Sequence, residues 1–324
     1  MPVDLIVTVD TEEEGLWSGT FRTQHNTVSN IQQVPRFQQL CDHFEIRPSY
    51  LVDWPVLEDD AAVRILDGIQ QSGRCEIGAH LHPWCTPPLD GAVTSRDTYM
   101  CNLSEASQRD KLAQLTNCVH QRFGHQPTSF RAGRYGLDAT GARLLADLGY
   151  VVDSSVLPFT DYSAEGGPDF RHAPWRPYYV NGNDIAAAHD DGPLLEVPVS
   201  VGFSRADFAS AASWRSWAER PWPRRLRMVG VLDRLGVAKR IKFSPEQASL
   251  SEMKKLVNAL CAQNAPAAVM MFHSSSLLPG ATPYVSDETA LDRFLNRIHS
   301  IFEYCTAQRG FVSRTLTEFA SRCG

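Results

Sequence analysis

Several signatures are missing from the sequence, and each absence removes a class. No residue type is biased enough for collagen, a coiled coil or wholesale disorder, and there is no internal repeat or low-complexity segment. The cysteines include no CxxC pair. All eight (Cys41, Cys75, Cys85, Cys101, Cys118, Cys261, Cys305, Cys323) are scattered and read as reduced thiols, mostly small buried apolar residues. Cys85 lies in a Pro-rich loop without a motif around it, which argues against a Cys–His nucleophilic enzyme. Positive charge is not in excess: 31 Lys+Arg against 37 Asp+Glu give a net charge of -6, which argues against a nucleic-acid binder as a whole. No window approaches about 18 uncharged apolar residues, so no membrane-spanning helix is expected. The N-terminus, MPVDLIVTVD, lacks the basic start and long apolar stretch of a secretory signal, so a cytoplasmic location is expected.

What is present is a chain of 324 residues, 43% hydrophobic, long enough for one α/β barrel or two smaller domains. Short apolar runs alternate with helical patterns. Strands are expected at 5–10, 48–53, 75–82, 129–133, 150–156, 194–201, 267–274 and 311–313. Helices are expected at 31–44, 59–72, 104–122, 138–148, 250–263, 287–308 and 315–321. Strands apolar on both faces and separated by helices imply a parallel sheet covered by helices, and about seven such units favour closure into a barrel. A single domain over 1–324 is expected, with a loop excursion at 157–193 and a helical insertion at 203–247. Between Arg215 and Lys242 the insertion carries nine Lys/Arg against Glu219 and Asp233, with Trp214, Trp217 and Trp222 interleaved.

Ionisable residues collect at the C-terminal ends of the expected strands, the rim where parallel barrels carry their chemistry. Asp10 and Glu12 alternate onto one face of the first strand, and two adjacent carboxylates repel unless a cation or proton intervenes. An acidic strand end entering solvent is the plainer alternative. His80 and His82, stopped by Pro83, aim two imidazoles at one point, and with Glu12 they would leave an open coordination position. Arg131 ends a buried strand and needs a partner such as Asp10, in a catalytic or a purely structural ion pair. Asp153, after Tyr150-Val151-Val152, is either a helix cap or the partner of a buried base. His273, after Ala268-Val269-Met270-Met271, is either a general acid or base or a hydrogen-bonded core residue.

In this order the five clusters resemble the polysaccharide deacetylase family, the NodB-like carbohydrate esterases, over residues from about 5 to 275. The resemblance implies a distorted (β/α)7 barrel. The family's T-F-D-D-G motif is matched by Thr8-Val9-Asp10, which gives Asp10 the role of base. Thr11 replaces the second, metal-binding Asp, and the D-x-E pattern moves that role to Glu12. The family's pair of ligand histidines is shortened here to His80-Leu81-His82, followed by Pro83. Arg131-Ala-Gly-Arg-Tyr135-Gly136 is similar to R-x-P-Y-G with one extra residue, so Arg131 would orient Asp10. By the same likeness Asp153 would support His273, and His273 would be the general acid. The resemblance is to a variant branch, associated with lipopolysaccharide and other surface glycans.

The activity implied is metal-dependent removal of an N-acyl group, first of all acetyl, from an amino sugar or glycan precursor. A divalent ion, Zn²⁺ as first candidate, would be held by Glu12, His80 and His82, with Tyr135, Trp84 and Trp17 contacting the sugar. Two other readings stay open: an amidohydrolase acting on a non-sugar C–N bond, and a sugar-binding protein that has lost its metal. The basic stretch 214–242 is either a solvated amphipathic face or a peripheral contact with an anionic membrane or phosphate.

Overall fold

Apolar runs become strands and amphipathic runs become helices in close alternation. The structure, a computed structural model, describes residues 3–323 apart from 90, 92, 182, 221, 223, 224, 226, 227 and 235–238. The first half runs β1 (Asp4–Thr11), α1 (Val34–His43), β2 (Ser49–Val52), α2 (Trp54–Glu58), α3 (Asp60–Gln71), β3 (Glu76–Leu81), α4 (Glu105–Phe123), β4 (Ser129–Ala132), α5 (Ala139–Asp147) and β5 (Val152–Asp153). The middle holds β6 (Tyr178–Val180), β7 (Leu194–Glu196), β8 (Val201–Phe203), α6 (Phe208–Glu219), α7 (Met228–Arg234) and β9 (Arg240–Lys242). The chain then forms α8 (Leu250–Ala262), β10 (Ala267–His273), α9 (Glu288–Glu303), β11 (Val312–Ser313) and α10 (Leu316–Cys323).

Helix starts follow local chemistry. Asp59, Ser104, Asp138 and Asp287 each accept a hydrogen bond from a first-turn backbone N–H, and Ser249 with Glu252 forms a complete capping box on α8. Gly124, at φ 74°, ends α4 in the left-handed conformation that glycine adopts without strain.

Seven parallel strands run in the order β10-β1-β2-β3-β4-β5-β7, and β6 is added antiparallel at the β7 edge. The sheet curls into the distorted (β/α)7 barrel expected from the sequence. Closure is made by single residues. Ser200 donates its N–H to Val269 O at 3.1 Å and accepts from Val269 N at 2.8 Å, and Phe243 O accepts from Met271 N at 3.1 Å. Alternation sorts the core into two layers. Leu5, Val7 and Val9 belong to the large cluster that includes residues of the surrounding helices. Ile6, Leu51, Val152, Leu195 and Val269 form the interior cluster, joined by Leu316 and Phe319 of α10 at its base.

Three expectations are corrected. The loop excursion 157–193 contains β6. The single strand expected at 194–201 is two, β7 and β8, separated at Pro198, where a missing N–H and fixed φ interrupt a ladder. The insertion is not purely helical: its two ends pair as an antiparallel ribbon, Val201 with Lys242 and Phe203 with Arg240, and α6 and α7 lie between them. Part of the basic stretch 214–242, including Arg224 and Arg227, lies outside the described residues, while Trp214 and Trp222 are exposed. Among the described residues no helix is long and apolar enough to cross a membrane.

Candidate metal centre and active site

Register assembles the site. In the β1–β10 ladder Asp10 is opposite His273, and in the β3–β4 ladder His80 is opposite Arg131. Partners in parallel strands point the same way, so four ionisable side chains from distant parts of the chain meet at one mouth of the barrel. Asp10, His80 and His273 open onto a cavity of about 250 Å³ also lined by Glu12, His82, Trp17 and Tyr135, with Arg131 buried behind them.

Arg131 is fully buried and forked. Its Nη1 donates to Asp10 Oδ1 at 2.5 Å, its Nε to Ser154 O at 2.8 Å and its Nη2 to Ser154 Oγ at 2.8 Å. Burial opposes the charge of Asp10, but Arg131, His80 and His273 outweigh it and hold the carboxyl well below the usual carboxylate range. Asp10 is therefore an ionised, fixed acceptor.

The two imidazoles are oriented from behind. His80 Nδ1 lies 2.8 Å from Arg131 O, so it must donate there, and its Nε2 carries the lone pair. His82 Nδ1 lies 2.8 Å from Glu13 Oε2, whose other oxygen accepts from Trp84 Nε1 at 2.8 Å. Asp53 in turn accepts from the Glu13 N–H at 2.9 Å. Gly133 has no side chain because a Cβ there would strike the His82 ring. The two Nε2 atoms converge on Glu12 Oε2, at 3.2 Å from His80 and 3.3 Å from His82.

This trio fits a metal ion. Lone pairs facing a carboxylate oxygen are repulsive unless a proton or cation lies among them, and the buried Glu12 Oε1 has no hydrogen-bond partner. Burial, then the charges of Asp10, Glu13, Asp53 and Glu246, pushes the Glu12 carboxyl well above 4.5, and burial pushes both imidazoles down to about 4. Burial thus favours the neutral, metal-binding form of both histidines at neutral pH. Two imidazole nitrogens and one carboxylate, backed by carboxylate–histidine and carbonyl–histidine hydrogen bonds, form a divalent-metal donor set with room for a further ligand.

Two comparisons define the scaffold further. A scan against models of known families finds no match, and a search of curated proteins finds none. Solved structures do match. One is a protein from Mycobacterium smegmatis provisionally described as a polysaccharide deacetylase: 17% identity, TM-score 0.55, covering 100% of this chain and 91% of that one. Another, from Parabacteroides distasonis and provisionally described as a glycoside hydrolase/deacetylase, has 12% identity and TM-score 0.63, covering 99% and 71%. The fold is that of the polysaccharide deacetylases. A 4-alpha-glucanotransferase from Thermococcus litoralis also matches, at 12% identity and TM-score 0.50 over 99% of this chain and 40% of that one. The deacetylase barrel therefore fixes the architecture, and the chemistry must be argued from the side chains.

On this NodB-like barrel, Asp10, Glu12, His80, His82, Arg131 and His273 come together as the sequence led us to expect. Asp153 does not join them. Val152 faces the interior and Ser154 meets Arg131, so Asp153 between them faces the helical layer. There it accepts from Ser155 Oγ at 2.7 Å and lies beside its register partner Glu196. The carboxylate on His273 is Glu246, which sequence reasoning missed. Its Oε2 is 2.9 Å from His273 Nδ1, its Oε1 accepts from the His273 N–H at 3.0 Å, and Ser276 Oγ donates to it at 2.6 Å. The available signal was an acid in the Ser-Pro-Glu that follows Ile241-Lys242-Phe243. Glu13 and Asp53 were also missed as supports of His82; Asp53 ends its strand run in the same way as Asp10 and His273.

The expected sugar contacts divide. Trp17 stands edge-on to His273, with ring centroids 5.2 Å apart, and lines the cavity. Tyr135 lines it too, from a turn in which Arg134 and Tyr135 have φ of 55° and 59°. Consecutive left-handed non-glycine residues cost about 1–2 kcal/mol each, and such strain is retained where a site needs the geometry. Trp84 lines the cavity as well, but is 1% exposed and stacked on His82 with centroids 4.2 Å apart, so most of its ring is spent on that histidine.

Proposed function

We propose that the protein is a metal-dependent hydrolase that removes an N-acyl group, acetyl first, from an amino sugar or glycan precursor. The observation that carries this reading is the convergence of Glu12, His80 and His82 at the same mouth as an ionised Asp10 and a carboxylate-held His273. Zn²⁺ is the ion best matched to two imidazoles and a carboxylate. Bound there, it supplies Lewis-acid polarisation of an acyl carbonyl and acidification of water.

The remaining work belongs to the chain. Asp10, held by Arg131, accepts the proton of the attacking water. It is a weak base by itself, so it suits a water already made acidic. His273 delivers a proton to the departing nitrogen through Nε2, since its Nδ1 is committed to Glu246. Its Nε2 lies 3.9 Å from Asp10 Oδ2, so acid and base sit side by side on the same cavity wall. Trp17 and Tyr135 wall the space in which a pyranose ring would lie. The intact donor set favours this reading over a sugar-binding protein without metal.

The test is acetate release from N-acetylated sugars beside elemental analysis. One divalent ion per chain is expected, with turnover abolished by chelation and restored by Zn²⁺. Asp10→Asn should lower kcat by about 10²–10⁴ with the metal retained. Full turnover after chelation, or in Asp10→Asn, would refute the assignment.

A further inference from the structure

Beside the reaction cavity lies a second one, of about 450 Å³, and Tyr135 and His273 line both. The two are thus neighbours that share a wall. The floor of the second cavity is β9, where Arg240 and Lys242 alternate onto one face around the buried Ile241. Lys242 Nζ donates to Tyr135 Oη at 2.7 Å, and Arg240 Nη1 donates to Phe159 O at 2.5 Å and to Thr160 Oγ1 at 3.3 Å. All of these partners are neutral. Among the described residues neither cation makes an ion pair.

The carboxylates of this cavity are engaged elsewhere. Glu252 holds Lys239 and caps α8, Glu165 takes Arg134 at 2.8 Å and Tyr99 Oη at 3.0 Å, and Asp161 lies 3.5 Å from Arg171. The nearest acids on the reaction side, Glu246 and Asp10, are committed to His273 and Arg131. Two half-buried cations without a direct ion pair are costly unless something fills the role, and only more distant carboxylates, Glu246, Asp10 and Glu12 for Lys242 and Glu219 and Asp233 for Arg240, offset their charge. Burial already drags the Lys242 ammonium down to about 8.

We infer that Arg240 and Lys242 form a subsite for an anionic substituent, a phosphate or carboxylate, on the substrate, one tyrosine side chain away from the scissile amide. The inference deepens the hydrolase reading and rests on it for the position of the amide. It gives the insertion a role: its base ribbon brings the charges to the cavity, and the acceptor turn at Phe159–Thr160 holds the guanidinium in place.

The experiment is calorimetric binding of three probes to the holoprotein: uncharged N-acetylglucosamine, N-acetylglucosamine 1-phosphate and N-acetylmuramic acid. At least one charged sugar should bind about tenfold more tightly than the neutral one, as charge-assisted hydrogen bonds imply. The preference should shrink in high salt. Arg240→Gln and, separately, Lys242→Gln should each remove most of the preference, whereas Lys239→Gln, whose ammonium is already paired, should change it less than about twofold. Whichever charged sugar is preferred tells phosphate from carboxylate. Equal affinity for charged and neutral sugars, or a preference that survives both substitutions, overturns the inference. If Lys242→Gln fails to fold, Arg240→Gln alone decides. Acetate release is scored in parallel. Release without charge preference sinks this inference alone; charge preference without release sinks the hydrolase reading alone.

Discussion

Two clusters of buried acid in the same barrel solve the same electrostatic problem differently. Each has one buried carboxylate oxygen without a hydrogen-bond partner, on Glu12 and on Glu196, but at the mouth Glu12 also faces two imidazole nitrogens. On the helical side, Asp153 and Glu196 face each other and hydroxyl or amide donors, with the Arg131 charge acting on both and no imidazole between them. Burial and the charge of Asp153 push the Glu196 carboxyl well above 4.5, so a shared proton is enough to remove the repulsion within that pair. The mouth supplies lone pairs as well as a carboxylate, so it offers a cation a binding site that the other cluster cannot. A buried carboxylate alone therefore says little about function; what surrounds it decides.

The sharpest way to break the comparison is to neutralise one acid in each cluster. Glu12→Gln should empty the metal site and lower kcat/KM by at least about a thousandfold, the loss of several kcal/mol of Lewis-acid stabilisation. Glu196→Gln should leave metal content and kcat/KM within about threefold, because an amide can still accept from the Val156 N–H and donate to Asp153. Acetate release and elemental analysis on the two proteins measure both. Equal losses would mean that the clusters do not differ as described.

A smaller effect separates the two acids offered for His273. Glu246→Gln should reduce kcat by about a hundredfold, since it weakens the support of the group that protonates the leaving nitrogen. Asp153→Asn should leave kcat within about threefold. The reverse ranking would restore the partner expected from the sequence.

The smallest effect is a pH slope. In the folded protein Glu196 keeps a proton that the unfolded chain has released above about 4.5. The unfolded state then binds fewer protons, so this pair makes stability fall as pH rises from that value toward the raised folded pKa. Glu196→Gln should flatten that decline. Chemical denaturation from pH 5 to pH 9 would show it, and an unchanged slope would remove the shared proton from the account.

Much of this was legible before the coordinates. Strand-end motifs named six of the residues that meet at the mouth, because a parallel barrel gathers such ends on one rim. Asp153 misled because a strand of two residues hides its own parity: whether Val152 or Asp153 turns inward depends on the register with β4. Glu246 was illegible for a different reason. It follows β9, a strand outside the seven-strand sheet, and reaches His273 only because Phe243 and Ser200 stitch that segment to β10. Nothing in Ser244-Pro245-Glu246 reports such a long-range seam.

The place of β1 carries one more consequence. Its hydrogen-bonded neighbours are β2, a few dozen residues on, and β10 and β11, some 260 to 310 residues away. During synthesis the run Asp4–Thr11 must wait, one flank bare, until nearly the whole polypeptide has left the ribosome. An apolar ribbon with an open edge is a template for self-association. The proton acceptor of the proposed reaction is thus borne on a strand completed late, and acid and base become neighbours only as that edge is closed.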